Sequence, residues 1–161
     1  LYNSLVRPHL EYAAAVWLPY KKRYINDIEK VQRRVTKLVP SISQLSYAER
    51  LKKLSMTTQR YRHLRGDMIH VYKIMTGLHN TDRTHFFTLS TIPNTRGHSI
   101  KIRKPQVRTT QRLHTFSRRV ITRMEQAISA DDVSAPSLNA FKNRLDRQWD
   151  RHPLRHAQNW H

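Results

Sequence analysis

The chain has 161 residues, and its 30 Lys and Arg against 11 Asp and Glu give a formal charge of +19 at pH 7. This length suits one ordinary domain with a buried core, and so large a positive excess predicts a polyanionic partner, nucleic acid first of all. The sequence has no cysteine, which excludes disulfides and thiol catalysis, and no apolar run approaches the roughly 20 residues that a bilayer span needs.

The N-terminus lacks the apolar core and cleavage site of a secretory signal, and no strongly hydrophobic helical face with Trp and Phe stands beside the basic residues. We therefore expect an intracellular protein of the nucleus or cytoplasm with no membrane partner. Position 1 is Leu rather than Met and already begins an apolar pattern, so we expect a piece of a longer polypeptide.

Residues 1–19 form a predicted helix that is interrupted or restarts at Pro8, because proline is tolerated only in a first helical turn. The spacing predicts that Leu1, Leu5, Leu10, Ala13, Ala14 and Trp17 face the core.

Residues 24–39 have the pattern of one amphipathic helix that ends at Pro40. Its apolar residues recur every three or four positions, which predicts that this stripe packs inward while the basic side of the helix faces an anion. The stripe consists of Ile25, Ile28, Val31, Val35, Leu38 and Val39, and the basic side of Lys30, Arg33, Arg34 and Lys37.

Two more helices are predicted in the first half. One spans residues 46–54 and begins with a capping box between Ser46 and Glu49; the other spans residues 58–75 and stops before Gly77. The second is expected to bury Leu64, Met68, Val71, Tyr72 and Met75.

The periodicity fails over residues 78–115, where we expect an irregular segment with at most a short hairpin turning at residues 94–97. Two C-terminal helices follow, over residues 115–128 and from the cap residue Ser137 to Trp149, and Pro153 is expected to end the order. They are expected to bury Phe116, Val120, Ile121, Met124 and Ile128, then Leu138, Phe141, Leu145 and Trp149.

The predicted fold is therefore mainly α: a bundle of about four helices, a basic irregular middle and two C-terminal helices. The corresponding domain boundaries are residues 1–77, 78–115, 116–152 and a frayed tail at 153–161.

Charge distribution is the strongest functional signal. No acidic residue lies between Asp82 and Glu125, although that interval is rich in Arg, Lys and His. A surface of one sign is typical of phosphate binding, whereas an ordinary solvated face mixes both signs. The predicted nucleic-acid ligands are Lys30, Arg33, Arg34, Lys37, Arg96, Lys101, Arg103, Lys104, Arg108, Arg112, Arg118, Arg119 and Arg123.

Two weaker groupings have simpler explanations. His63, Asp67 and His70 have a spacing that could serve a metal, but without a His-Glu-x-x-His arrangement a solvated helix flank is the better interpretation. The adjacent Asp131 and Asp132 could bind magnesium, but a loop or helix-cap role is favoured. No glycine-rich phosphate loop and no arrangement for nucleophilic catalysis is present, so we predict no catalytic residue and no metal site in this chain.

Several stretches, in order along the chain, resemble the region after the catalytic palm in reverse transcriptases of LINE-type, non-long-terminal-repeat retrotransposons. They are SLVRPHLEYAAAVWLPY (residues 4–20), IEKVQRRVTKLV (28–39), LSYAERLKKL (45–54), LRGDMIHVYKIMTG (64–77), TRGHSIKI (95–102), FSRRV (116–120) and VSAPSLNAFKNRLDRQW (133–149).

The resemblance implies a helical thumb followed by a C-terminal segment of the same polymerase, with Arg33, Arg34 and Lys37 against the backbone of an RNA-DNA duplex. It also implies the palm and fingers of the parent enzyme as partners, and Mg²⁺ for the parent alone, because the polymerase aspartates have no counterpart here. Two alternatives stay open: a stand-alone basic helical module that binds an acidic protein, and an inactive relic of a transposable element.

Overall fold

The computed structural model describes residues 2–88, 102–103, 106–127 and 134–156. They are mainly helical, which confirms the predicted all-α class, and no strand is found within these ranges. The helices of the described ranges are α1 (Arg7–Glu11), α2 (Ala14–Trp17), α3 (Lys22–Lys37), α4 (Tyr47–Lys53), α5 (Gln59–Met75), α6 (Thr110–Leu113), α7 (Phe116–Ala127) and α8 (Leu138–Gln148).

The N-terminal segment begins as a π-helical turn over Tyr2–Val6 and continues into α1, where Pro8 occupies the first turn. The interruption falls at Ala13, whose φ of 48° lies in the left-handed region, rather than at Pro8. Because the helix restarts there, its spacing is not continuous, and the inward face predicted for this segment is wrong at Leu5, Ala13 and Trp17, which are exposed.

Helix α3 forms where the sequence predicts a helix, but it does not pack with the predicted side inward. Its buried residues are the polar Glu29, Gln32 and Thr36, whereas Val31 and Leu38 of the apolar stripe are exposed. The predicted inward packing of the apolar stripe is therefore wrong at Val31 and Leu38, and the other four stripe residues are only half-buried. The physical reason is that the polar face makes buried hydrogen bonds to neighbouring segments, as described below.

Helices α4 and α5 begin and end where their signals predict. Ser46 accepts a hydrogen bond from the Glu49 amide while the Glu49 carboxylate accepts one from the Ser46 amide, so the predicted capping box is confirmed. Gly77 follows α5 with a φ of 72°, a left-handed conformation that glycine adopts with little strain because it has no Cβ. Its amide donates a hydrogen bond to the Ile74 carbonyl at 3.4 Å.

The C-terminal helices also follow the prediction. Ser137 caps α8 by accepting from the Ala140 amide at 3.2 Å. Val120, Ile121 and Met124 of α7 are buried, and so are Phe141, Leu145 and Trp149 at α8. Phe116 and Leu138, also predicted to be buried, are half-buried. Ile128, which was expected to join them, and the predicted turn at 94–97 lie outside the described residues.

Residues 153–156 are ordered, contrary to the expectation that order ends at Pro153. The Thr58 amide donates to the Arg155 carbonyl at 3.1 Å, and the Thr58 hydroxyl donates to the Leu154 carbonyl at 2.5 Å. These bonds satisfy backbone groups of the last segment and fix it beside the start of α5.

The chain divides into two compact units. The first comprises Leu1–Gly66 with Asp150–His161, and the second comprises Asp67–Trp149. These limits do not coincide with the boundaries expected at residues 77, 115 and 152, since the division falls inside the continuous helix α5.

The interiors of the units differ. The described part of the second unit buries mainly apolar side chains, with the Tyr72 and Phe141 rings stacked at 4.4 Å between centroids. The first unit instead buries many polar side chains among a few apolar ones. Its buried polar residues are Glu29, Gln32, Thr36, Arg50, Thr58, Gln59 and His63.

Candidate nucleic-acid interface

The orientation of α3 is set by its buried carboxylate. Glu29 accepts hydrogen bonds from the Tyr47 hydroxyl and from the amides of Gln59 at 3.0 Å and Arg60 at 3.4 Å. Those amides open α5, where a negative charge meets the positive end of the helix dipole. Burial nevertheless raises the pKa of the Glu29 carboxyl, while the hydrogen bonds from Tyr47 and the two amides oppose that rise.

Two amide side chains extend this buried network. Gln32 donates to the Thr57 carbonyl at 2.8 Å and accepts from the Tyr2 hydroxyl at 3.0 Å and from Gln59 Nε2 at 2.7 Å. Each hydrogen bond of this kind contributes about 1 kcal/mol, and leaving a buried partner without one costs about 1 to 3 kcal/mol. The polar face of α3 is therefore held inward, and the opposite sides of the helix face solvent.

Arg33 lies at the border of that network rather than in solvent. Its guanidinium sits over the Tyr47 ring, 4.9 Å from the centroid, with Arg50 at 5.7 Å from the same centroid. Arg33 is half-buried and its Nε is fully enclosed. A cation held on an aromatic face packs within the fold, so a phosphate contact by Arg33 stays a prediction.

The other predicted ligands on α3 form one exposed basic side. Lys30, Arg34 and Lys37 are exposed and stand at i, i+4 and i+7, which places them on one side of the helix. Lys30 also pairs with the exposed Asp27 at 2.8 Å, a contact that is worth little in water. We call Lys30, Arg34 and Lys37 the α3 basic side.

In the second unit, the structure separates two kinds of arginine. Arg103, Arg108 and Arg112 are exposed. Arg119 and Arg123 instead bind Asp67, the former through two contacts of 2.9 Å and the latter at 3.4 Å.

Four further arginine and lysine positions complete the predicted set. Arg118 is half-buried, with Nε and one terminal nitrogen enclosed. Arg96, Lys101 and Lys104 lie outside the described residues.

His63 and Asp67 are buried, so the solvated flank predicted for the His63, Asp67 and His70 grouping is wrong. His63 Nε2 lies 2.8 Å from the Leu10 carbonyl, and Asp67 forms the ion pairs just described. Their spacing serves packing between elements, a role that no periodicity in the sequence reveals.

Most acidic side chains in the described ranges, exposed or buried, bind other groups of the chain. Glu49 and Asp82 cap helical turns, and others bind Arg, Lys, Tyr or backbone groups. Exposed positions carry fourteen Lys and Arg among the described residues. Seven acidic side chains with such partners are Glu11, Asp27, Glu29, Glu49, Asp67, Asp82 and Asp150.

Within the described ranges, no group of three or more His, Asp or Glu side chains is arranged to hold a metal ion. No helix in those ranges is both long and apolar enough to cross a bilayer. No protein family model, no curated protein and no solved structure matches this chain.

Proposed function

We propose that this chain is the C-terminal, post-palm part of a LINE-type reverse transcriptase and that it binds an RNA-DNA hybrid or structured RNA through phosphate contacts. The resemblance supports the polymerase origin, and it assigns nucleotide addition and Mg²⁺ to the parent palm. The chain itself has the role of a nucleic-acid-binding segment.

The observation that carries the proposal is the uneven use of charge. Within the described ranges, most carboxylates cap helical turns or bind Tyr, Arg, Lys or backbone groups of the chain, whereas fourteen Lys and Arg are exposed. Phosphates supply the missing negative charge with a geometry that tolerates any base sequence. The ligands in the described residues are the α3 basic side in one unit and Arg103, Arg108 and Arg112 in the other.

The α3 basic side has a suitable length. At about 1.5 Å of rise per residue, Lys30 and Lys37 are separated by roughly 10 Å along the helix, which spans about three phosphates of one strand at about 3.4 Å each. This helix therefore contacts a short run of backbone rather than a single phosphate.

The test is the salt dependence of binding to an RNA-DNA hybrid of arbitrary sequence. If each of the six proposed ligand side chains neutralises one phosphate, we expect log Kd to change with log salt at a slope of about 4 to 5.5. Replacing Lys30, Arg34 and Lys37 by Gln should lower that slope by about 2 to 3. Fluorescence anisotropy at several salt concentrations measures both.

A matched control removes the same charge from elsewhere in the same unit. Lys52, Lys53 and Arg151 are also exposed, and their replacement by Gln should leave most of the slope intact. An equal loss of slope in both triple variants would show that net charge alone attracts the hybrid, and a flat salt dependence of the unchanged chain would refute phosphate binding.

A further inference from the structure

Helix α3 carries a second exposed surface, made of apolar residues in a heptad pattern. Tyr24, Ile28, Val31, Val35 and Leu38 follow one another at intervals of four, three, four and three residues. Tyr24, Val31 and Leu38 are 50%, 38% and 74% exposed, and the two residues between them are half-buried. We call these five residues the α3 seam.

The exposed residues of the seam point away from the interior of the unit, and the half-buried Ile28 and Val35 lie at its inner border. Each residue advances about 100° around an α-helix, so Val31 lies roughly 100 to 160° from Glu29, Gln32 and Thr36. Those three polar residues make the inward contacts of α3. A regular apolar stripe on the outside of a folded unit marks a surface that another element covers.

We propose that the α3 seam docks one α-helix of a protein partner, whose own apolar residues are spaced in heptads and whose flanks are acidic. The period of 3.5 residues is that of two helices packed side by side, and it does not suit an added strand. The β-branched Ile28 and Val35 occupy the a positions of the heptad pattern, and Tyr24, Val31 and Leu38 occupy the d positions.

Charge at the border of the seam selects the partner. Arg34 is exposed beside Val31 and Leu38, three and four residues away along the helix, and the exposed carboxylate of Asp27 at the same border is paired with Lys30 at 2.8 Å. Glu or Asp at the flanks of an incoming helix would meet these cations, whereas Lys or Arg would be repelled.

Two other occupants fit less well. A second copy would bring two basic sides together on chains of formal charge +19 each, over a seam of only two heptads. Nucleic acid would leave Val31 and Leu38 against a polar backbone, since aliphatic side chains provide no ring on which bases stack. The apolar residues of the seam lie on a different side of α3 from Lys30 and Lys37, and Arg34 stands at the border of the two surfaces.

The experiment uses the full chain and a fluorescent three-heptad peptide of about 21 residues with Leu and Ile in the seam and Glu on both flanks. We expect saturable binding by anisotropy, and at least tenfold weaker binding by the double variant Val31→Ser with Leu38→Ser. The matched control is Leu78→Ser with Leu113→Ser, two exposed leucines of the other unit, which should bind as tightly as the unchanged chain. Circular dichroism checks that both variants remain folded.

Other results would overturn the proposal. Equal binding of a scrambled peptide of the same composition would mean that charge alone is captured. Unchanged affinity of the folded seam variant would place the peptide elsewhere. Self-association of the chain that the seam variant abolishes, without peptide binding, would assign the surface to a second copy. A loss of hybrid binding by the seam variant, without peptide binding, would assign it to nucleic acid.

Discussion

Asp67 shows how one residue can hold a unit together. Its side chain is almost completely buried, and each carboxylate oxygen accepts a hydrogen bond of 2.9 Å from the Arg119 guanidinium. Arg123 adds a contact of 3.4 Å, and the Arg119 guanidinium also lies 5.6 Å from the Phe116 ring centroid. A two-point contact of this kind joins α5 to α7 with fixed geometry.

Replacing Asp67 by Asn should destabilise the chain by about 3 to 5 kcal/mol, because the two arginines would keep their charge without a buried counterion. Urea unfolding followed by circular dichroism measures the loss. Asp82→Asn is the control in the same unit, since Asn caps a helical turn as well as Asp does. A loss below about 1 kcal/mol for Asp67→Asn would show that the arginines find other partners.

These contacts explain the limits of residue-level prediction. The sequence pattern correctly placed Lys30, Arg34 and Lys37 on an outward side of α3, and their contact with an anion stays a prediction. The pattern did not distinguish them from Arg119 and Arg123, whose partner Asp67 is 52 and 56 residues away. The same distance effect conceals Glu29, which bonds to amides about 30 positions later in the chain. A count of charges shows the excess but not which charges are paired internally.

At the scale of elements, the helix ends show how local chemistry works. The Met56 amide donates to the Leu51 carbonyl at 2.8 Å, and the Ser55 amide donates to the Lys52 carbonyl at 3.1 Å, so α4 ends in a Schellman motif. Ser55 has a φ of 51° at the position that glycine favours, whereas α5 has Gly77 at its corresponding position.

Exchanging these two residue types should have opposite effects. Ser55→Gly should raise the free energy of unfolding by about 0.5 kcal/mol, since it removes the Cβ from a left-handed conformation, and Gly77→Ser should lower it by about 1 kcal/mol. Thermal melts of both variants measure the signs. Destabilisation by Ser55→Gly would mean that the serine side chain makes a stabilising contact that outweighs its strain.

Helix positions were predictable because their starts and stops are local. Ser46, Gly77 and Ser137 act within a few residues of themselves, and each acts as predicted. Which side of α3 packs inward was not predictable in the same way. That helix has a polar, a basic and an apolar side, and periodicity alone favours burial of the apolar side. The hydrogen-bond partners that reverse this choice lie on α4 and α5.

At the scale of the whole molecule, ten histidines join the excess of Lys and Arg. Burial lowers the pKa of His70, His152 and His156, with nearby cations acting in the same direction. A histidine whose pKa is lower in the folded chain takes up protons preferentially on unfolding, so its contribution to stability is lost as the pH falls below about 6.5. Glu29, whose pKa is raised, acts in the opposite direction above the ordinary glutamate pKa.

We therefore expect a fall in Tm when the pH is lowered from about 7.5 to about 5.5, and a smaller fall for His70→Gln than for the unchanged chain. The comparison isolates His70 from the opposing effect of Glu29. His9→Gln, at an exposed position, should behave like the unchanged chain. Identical falls for His70→Gln and the unchanged chain would show that His70 protonates equally well in both states.

The buried cap on α5 has a consequence for the order of folding. The first two amides of this helix bond to Glu29 and the third to Thr58, at 3.1 Å. Forming the first turn of a helix is unfavourable until its exposed amides find hydrogen-bond acceptors. In α5, two of these three amides bond to Glu29, which lies about 30 residues earlier in the chain. We therefore expect the first turn of α5 to become stable only once α3 has docked against it.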